Sequence, residues 1–347
     1  LATLMEKPTV KPYIKIHHQT PEYYGHPPRE EAAKFINSKL LQELGNGTYN
    51  IGYTVIEVNR IHPYWVDQMN LMDEVWTSSK FCRDIFIEGG VQTPIKVMPH
   101  GVDTNFYRPD AEPLPIKNKA GFNFLSIFQW TPRKAPDILI AAYLQEFSAE
   151  DDVSLTLRVY GSSTSQAERQ RVIKMLKRVE SDDLDIRHRR PKILLLHDFI
   201  PTSKIPSLYT AADCFVLPSR GEGFGLPYLE AMSCGLPVIG TAWSAMTEFM
   251  NPFNSYLIRP DRLGPCKGME HIPWYQHWMQ WAEPCVNELR YMMRQVFENR
   301  NEAQEKAKIA RKDVVEKYDW SVTGRLMKER LIAIWKRRDK WAAKQSV

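Results

Sequence analysis

Three glycines, Gly221, Gly223 and Gly225, alternate with Glu222 and Phe224 and run into Leu226, Pro227 and, a little further on, Glu230. Without a Cβ, glycines let the backbone come close to a ligand. The residues that follow, 227–234, have a helical pattern, with Pro227 suited to the first helical position and Gly235 to the left-handed position that ends the helix. The amides of Phe224, Gly225 and Leu226 would then point outward at a helix N-terminus, whose partial positive charge makes a natural seat for a phosphate. A carboxylate repels phosphate, so Glu222 in such a loop makes sense if it accepts hydrogen bonds from sugar hydroxyls. Glu230, on the helix, could take both hydroxyls of a ribose in the same way. The plainer alternative is that Glu222 caps the helix and Glu230 is an ordinary surface residue.

Residues 218–239 resemble the donor-binding E-x7-E region of the retaining GT-B glycosyltransferases, the family-four type of the group 1 glycosyl transferases. The resemblance implies Glu222 on the transferred sugar, Gly223 and the Phe224, Gly225 and Leu226 amides on sugar and phosphate, and Glu230 on the ribose. Two further stretches are similar to the same family. Residues 99–103, Pro-His-Gly-Val-Asp, resemble its P-N-G-V-D turn, with His100 in place of the usual Asn. Residues 126–137 resemble its G-R-x-x-x-x-K phosphate loop, and Lys134 falls on the phosphate lysine. The family's arginine aligns with Gln129, which supplies no charge to a leaving diphosphate, so Arg133 or Arg220 is expected to substitute. Base contacts are expected from the backbone of residues 198–200, which brings in Phe199 and Ile200.

In the first part of the chain, His18 and Glu57 follow apolar runs and are expected to face a cleft. The resemblance implies a histidine touching the donor sugar, a role assigned to His18, although His17 is adjacent and either can be a satisfied structural residue. Glu57 and His100 are assigned to the acceptor side.

These residues need strand ends and helix starts to hold them. Short apolar runs alternate with helical patterns, as in parallel sheets covered by helices. Strands are expected over residues 13–16, 49–55, 74–77 and 95–98, with a helix at 79–88 closed by Gly89 and Gly90. Three prolines and lost periodicity make residues 107–121 an interdomain linker. A second series follows, with strands at 122–128, 154–160, 193–197, 214–217 and 238–239 and helices around 136–147, 165–179, 203–211 and 227–234. Residues 281–298, 301–318 and 323–340 carry helical periodicity with no strand between them. The expected fold is α/β of the GT-B type, two Rossmann-like domains facing a cleft. An N-terminal, acceptor-side domain spans 1–112, a nucleotide-sugar-binding domain 113–320, and a C-terminal helix at 321–347 packs back towards the first domain. Against the family the first domain is short at its N-terminus, and a targeting segment upstream of Leu1 would be invisible here.

The 347 residues, 43% hydrophobic and 25% charged, suit a globular two-domain enzyme. The formal charge of +5 is mild and scattered, and with no basic stripe or reader module a nucleic-acid partner is not expected. Five cysteines without metal-ligand spacing read as reduced core residues. No apolar run reaches membrane-spanning length. A cytoplasmic protein, soluble or peripheral, is expected, and the basic terminal helix and short first domain leave room for a membrane contact or for a subunit completing that domain. Asp183-Leu184-Asp185 has the letters of a metal motif but lies in a polar stretch after a helix, so no metal is expected. Asn46-Gly47-Thr48 has the letters of a glycosylation site.

The function so implied is transfer of a sugar from a nucleoside-diphosphate sugar to an acceptor (glycan, lipid, protein or small molecule) with retention and without a cofactor. Glu222, Lys134, Arg133 and His18 are the catalytic candidates. Gly223, Phe224, Gly225, Leu226, Glu230, Gln129, Arg220, Phe199 and Ile200 line the donor. The rivals are a sugar phosphorylase or epimerase on the same scaffold and a catalytically silent GT-B module that binds nucleotide or a protein partner.

Overall fold

A computed structural model describes residues 13–21, 48–160, 190–196 and 199–337, together with the isolated residues 170, 173, 174 and 177. The chain divides into two compact units, residues 1–99 with 323–347, and residues 100–322.

The first unit carries β1 (Ile14–His18), β2 (Tyr49–Tyr53), α1 (Pro63–Met69), β3 (Glu74–Thr77), α2 (Lys80–Glu88) and β4 (Ile95–Val97). The strands form one parallel sheet in the order β1-β2-β3-β4. Every residue of β3 is buried, as a strand covered on both faces must be. Helix α2 starts where the Ser79 hydroxyl accepts from the Cys82 amide at 3.1 Å, a side-chain cap for an otherwise orphan donor. It ends at Gly89, and Gly90 takes the left-handed conformation that turns the chain towards β4.

The second unit runs β5 (Phe122–Gln129), α3 (Pro136–Glu146), β6 (Val153–Tyr160), β7 (Lys192–Leu196), α4 (Ile205–Thr210), β8 (Cys214–Leu217), α5 (Leu226–Ser233), β9 (Val238–Thr241) and β10 (Tyr256–Ile258). A hairpin of β11 (Pro260–Pro265) and β12 (Gln280–Pro284) follows, then α6 (Val286–Glu298), α7 (Arg300–Lys317) and α8 (Trp320–Trp335). Its six strands are parallel in the order β7-β6-β5-β8-β9-β10. That is the doubly wound order, winding outward both ways from the β5/β8 pair, and ligands bind at the carboxyl ends of such a pair. The core is aromatic and aliphatic throughout, with Phe124, Phe128, Leu155, Phe215 and Ile239 fully buried.

Three expectations are corrected. Residues 107–121 are not a free linker: the Ser233 hydroxyl donates to the Tyr107 carbonyl at 2.6 Å, the Leu114 amide to the Ser207 carbonyl at 2.8 Å, and the Lys119 ammonium to the Ala211 carbonyl at 2.9 Å. Together with a bridge from Val102 to Asp319, these bonds place the division between the units at 99/100 rather than 112/113. Residues 280–284 are a strand rather than the start of a long helix, because they pair antiparallel with β11 and α6 begins only after Pro284. Helix α1 and strands β10 and β11 have no counterpart in the sequence pattern: α1 makes barely two turns, β10 has three residues, and β11, Pro-Asp-Arg-Leu-Gly-Pro, shows no apolar alternation. The expected helix over 165–179 and the Asp183-Leu184-Asp185 and Asn46-Gly47 positions lie outside the described residues, apart from the four isolated ones. Cys82, Cys214, Cys234 and Cys266 are buried, and all five cysteines are free.

From Thr323 onward α8 belongs to the first unit, where Ile334, Met327 and Leu331 join Ile51, Tyr53 and Trp76 in one apolar cluster. Arg330 reaches the fully buried Glu74 with both Nε and Nη2, and Glu74 also accepts from the Trp76 indole at 2.6 Å and the Tyr49 hydroxyl at 3.3 Å. Breaking a buried pair leaves an uncompensated charge. Arg330→Leu is expected to lower stability by about 3 kcal/mol in urea denaturation. Adding Glu74→Gln should recover part of the loss, because no charge then stays buried.

Candidate functional site

The chain leaves β5 through a short turn, Pro132–Lys134, that ends with Ala135 in the left-handed region at φ 50°. It leaves β8 through residues 218–225. Both exits lie at the carboxyl ends of the central strand pair, so Arg133 and Lys134 meet Glu222 there. Arg133 Nη1 donates to Glu222 Oε2 at 3.0 Å and to the Gly221 carbonyl at 2.7 Å, while Lys134 Nζ donates to Glu222 Oε1. Lys134 is 7% and Glu222 5% exposed, so the cluster is almost dry. Burial alone would push the Glu222 carboxyl up, but the Lys134 and then the Arg133 charges outweigh it and hold the pKa at about 2. Two cations against one carboxylate leave one positive charge at the switch point of the sheet, where an anion would be welcome.

Arg220, the other arginine considered for phosphate, is placed differently. Its Nη1 and Nη2 grip the Asp137 carboxylate at 3.0 and 2.8 Å, its Nε donates to Glu283 at 2.8 Å, and Nη1 also donates to the Pro132 carbonyl at 2.6 Å. Its own amide donates to the Arg133 carbonyl at 2.7 Å, and its carbonyl accepts from the Ala282 amide. Arg220 is thus held by α3, by β12 and by the turn that carries Arg133 and Lys134. A guanidinium whose fork is already filled by carboxylates is a brace for that turn rather than a ligand for a diphosphate. The β11/β12 hairpin is braced against the same turn at Gly268 (φ +81°), where a Cβ would meet the Pro132 ring at 2.8 Å.

Helix α5 begins as the sequence pattern requires, with Gly225 at its N-cap in the left-handed region (φ +99°) and Pro227 in its first turn. A side chain at Gly225 would also press on Tyr228 and Met246. The loop is steadied from β9's side by Ser244, itself at φ 64°, whose hydroxyl accepts from the Glu222 amide at 3.0 Å. Such strain in a non-glycine residue gathers at functional sites. Phe224 is buried against Phe249 and Tyr318, and the His100 ring meets its edge at 5.3 Å. His100, expected on the acceptor side, therefore belongs with the glycine loop in the second unit.

Glu230, a turn further along α5, is partly exposed. Its Oε2 accepts from the Tyr209 hydroxyl at 2.7 Å, and the Tyr107 hydroxyl lies beside the same carboxylate. Here burial prevails over the tyrosine hydroxyls and raises the carboxyl pKa. Gln129 is exposed at the end of β5. Phe199 is 86% exposed and Ile200 half-buried just after β7, whereas Asp198 lies outside the described residues. In the first unit His17 is buried, with Nε2 3.1 Å from the Asn50 amide oxygen, and is the structural one of the pair. His18 is exposed and stacks on Tyr53 at 4.8 Å, and Glu57 is half-exposed beyond β2. Sequence reasoning does not reach Ser244, Glu283, Tyr107 and Tyr209, which have no motif and enter only through their contacts, nor the bracing part of Asp137, although that residue ends the 126–137 stretch. A groove of about 1120 Å³ along β10 and α6, lined by Tyr256, Arg259, Glu288 and Tyr291, contains none of these cluster residues.

The family described as glycosyl transferases group 1 matches residues 121–264, a span that includes Arg133, Lys134, Asp137, Arg220, Glu222, Glu230 and Ser244 but not His100 or Glu283. The chain is 30% identical over 176 residues to mannosylfructose-phosphate synthase of Agrobacterium fabrum, covering 49% of this chain and 37% of that one. It is 26% identical over 201 residues to D-inositol 3-phosphate glycosyltransferase of Acidothermus cellulolyticus, covering 54% and 41%. The matched stretch is therefore less than half the length of either relative. Among solved structures, sucrose-phosphate synthase from Thermosynechococcus elongatus superposes with a TM-score of 0.63 at 18% identity, over 83% of this chain and 68% of that one. Anabaena HepE in complex with UDP and glucose gives 0.61 at 20% identity, over 85% and 73%. The fold is α/β of the GT-B type, and the family match covers part of the second unit. Among the described residues no helix is long and apolar enough to cross a membrane.

The depressed Glu222 carboxyl bears on stability as well. A group whose folded pKa lies below its ordinary 4.5 stabilises the fold above that value and loses the contribution as pH falls towards about 2. Glu222→Gln is therefore expected to flatten the loss of stability between those two pH values while lowering stability at neutral pH. Thermal unfolding across that range measures both effects.

Proposed function

We propose that the chain is a retaining glycosyltransferase that moves a sugar from a nucleoside-diphosphate sugar to an acceptor. The observation that carries this reading is the buried Arg133–Glu222–Lys134 cluster at the β5/β8 switch point, beside the N-terminus of α5. The donor diphosphate sits on the Phe224, Gly225 and Leu226 amides, where the helix dipole adds to the surplus charge of Lys134 and Arg133. Charge builds on the leaving diphosphate in the transition state, and cations already fixed by Glu222 stabilise it without reorganising. Arg133 takes the part that Gln129 cannot, because Arg220 is engaged with Asp137 and Glu283. A carboxylate offers about four lone-pair sites. Lys134 and Arg133 engage one on each oxygen of Glu222, so sugar hydroxyls take the others.

Glu230 binds the ribose, the backbone around Ile200 the base, and His18 and Glu57 serve the sugar and acceptor. The resemblance to the retaining GT-B family implies attack from the front face, with the leaving phosphate oxygen taking the acceptor proton. Neither metal nor cofactor is required, and the protein acts in the cytoplasm. The reading is supported by the relatives' names, which include a GDP-mannose-dependent mannosyltransferase and four D-inositol 3-phosphate glycosyltransferases, and by the neighbour solved with UDP and glucose.

The test is hydrolysis and transfer with UDP-, GDP- and ADP-sugars, the product anomer being assigned by proton NMR. Turnover with at least one α-linked donor should give an α-product and withstand EDTA. Glu222→Ala and Lys134→Met should each lower kcat by about 10²- to 10³-fold, as loss of a preorganised charge partner does. Nucleotide binding with no turnover on any donor would overturn the enzyme in favour of a silent GT-B module.

A further inference from the structure

Cations hold Glu222, whereas hydroxyls hold Glu230. The Glu230 carboxylate is positioned by two tyrosines from distant parts of the chain, Tyr209 from α4 and Tyr107 from the strap over 107–121. Tyr209 is fully buried and its ring lies edge-on to Tyr107, with centroids 6.1 Å apart. Tyr107 is in turn anchored through its carbonyl, which accepts from the Ser233 hydroxyl at 2.6 Å, and Arg311 donates to the Ser233 carbonyl. Side chain, ring and backbone contacts thus leave the two hydroxyls little freedom. A carboxylate on a helix otherwise samples several rotamers, and fixing one costs side-chain entropy that a ligand would have to supply on binding.

Resting on the reading that Glu230 receives the ribose, we propose that Tyr107 and Tyr209 are positioning residues. They orient Glu230 so that its remaining lone pairs meet the 2′- and 3′-hydroxyls, and so let the site distinguish ribonucleotides from 2′-deoxyribonucleotides. A polar site built to pair with a hydroxyl rejects a ligand lacking it, because an acceptor that the ligand covers is then left unpaired. The partly exposed Glu230 carboxylate, held by the Tyr209 hydroxyl at 2.7 Å, becomes such an acceptor once a nucleoside diphosphate covers it. Neither tyrosine touches the nucleotide, so each acts through Glu230 alone.

The experiment is calorimetric titration of the whole chain with UDP, GDP and ADP and with the 2′-deoxy form of each. Wild type, Tyr107→Phe, Tyr209→Phe and, as a control, Tyr143→Phe are compared. Tyr143 is equally buried, and its hydroxyl donates to the Lys192 carbonyl, so it reports what loss of an interior tyrosine hydroxyl does by itself. The wild type should prefer the ribose form of its nucleotide. Tyr107→Phe and Tyr209→Phe should each weaken the ribose form by roughly 10-fold, the worth of one hydrogen bond to a charged group, and the 2′-deoxy form, which keeps the 3′-hydroxyl, by less, so that the preference for ribose falls. Tyr143→Phe should keep the wild-type ratio. Should Tyr209→Phe fail to fold, the half-buried Tyr107 carries the same test. Wild-type discrimination kept in both variants overturns the inference alone. Binding of nucleoside diphosphate without discrimination in the wild type overturns the ribose assignment and the inference with it. Binding of none of the three overturns the proposed function as well.

Discussion

Two cations and a carboxylate packed into a nearly dry turn are the constraint around which the second unit is organised. Arg133 and Lys134 come from one strand exit and Glu222 from another, and each is costly to bury unless the others are within hydrogen-bonding reach. The doubly wound strand order makes β5 and β8 neighbours and brings both exits to one edge. Any sheet order that separated those strands would take Glu222 away from Lys134 and leave a buried ammonium without its carboxylate. The brace by Arg220 then follows, since the turn must be held to the accuracy of a hydrogen bond. It ties the turn to α3 through Asp137 and to the β11/β12 hairpin through Glu283.

The site's two glutamates illustrate how surroundings divide labour between like groups. Glu222 is buried and Glu230 partly so, and burial by itself raises a carboxyl pKa. Glu222 faces fixed cations and is driven down to about 2, whereas Glu230 faces tyrosine hydroxyls and is raised. Glu222 therefore stays ionised and serves as a permanent counter-charge that aims Lys134 and Arg133. Glu230 is a hydrogen-bond acceptor whose strength its tyrosine partners set.

The backbone bears a share of this arrangement. Gly225 sits at a positive φ that a larger residue would take at a cost, and Ser244 takes one although it is not glycine. Ser244 gains a hydrogen bond from the Glu222 amide, so the conformation that strains one loop fixes the other. A single buried carboxylate plays a comparable part in the first unit, where Glu74 collects Arg330, Trp76 and Tyr49 and so fastens α8 to its sheet.

How far the sequence alone reached depends on whether the signal is local. The run from β8 through Gly221, Gly223, Gly225 and Pro227 to Gly235 was legible residue by residue, because left-handed turns, helix starts and buried strands each demand particular residue types at fixed spacing. The long strands β5 and β6 were equally plain from their apolar runs. Strand β10 and the hairpin were not, since β11 has a proline at each end and no apolar alternation, and each of these strands is defined by a pairing partner elsewhere in the chain. Sequence left two choices open that packing decided. Of His17 and His18, burial beside Asn50 made the first structural; of Arg133 and Arg220, two carboxylates from other elements made the second a brace. Tyr107, Tyr209 and Glu283 carry no motif at all. What they do comes from contacts between segments far apart in the chain, and only the tertiary structure brings those segments together.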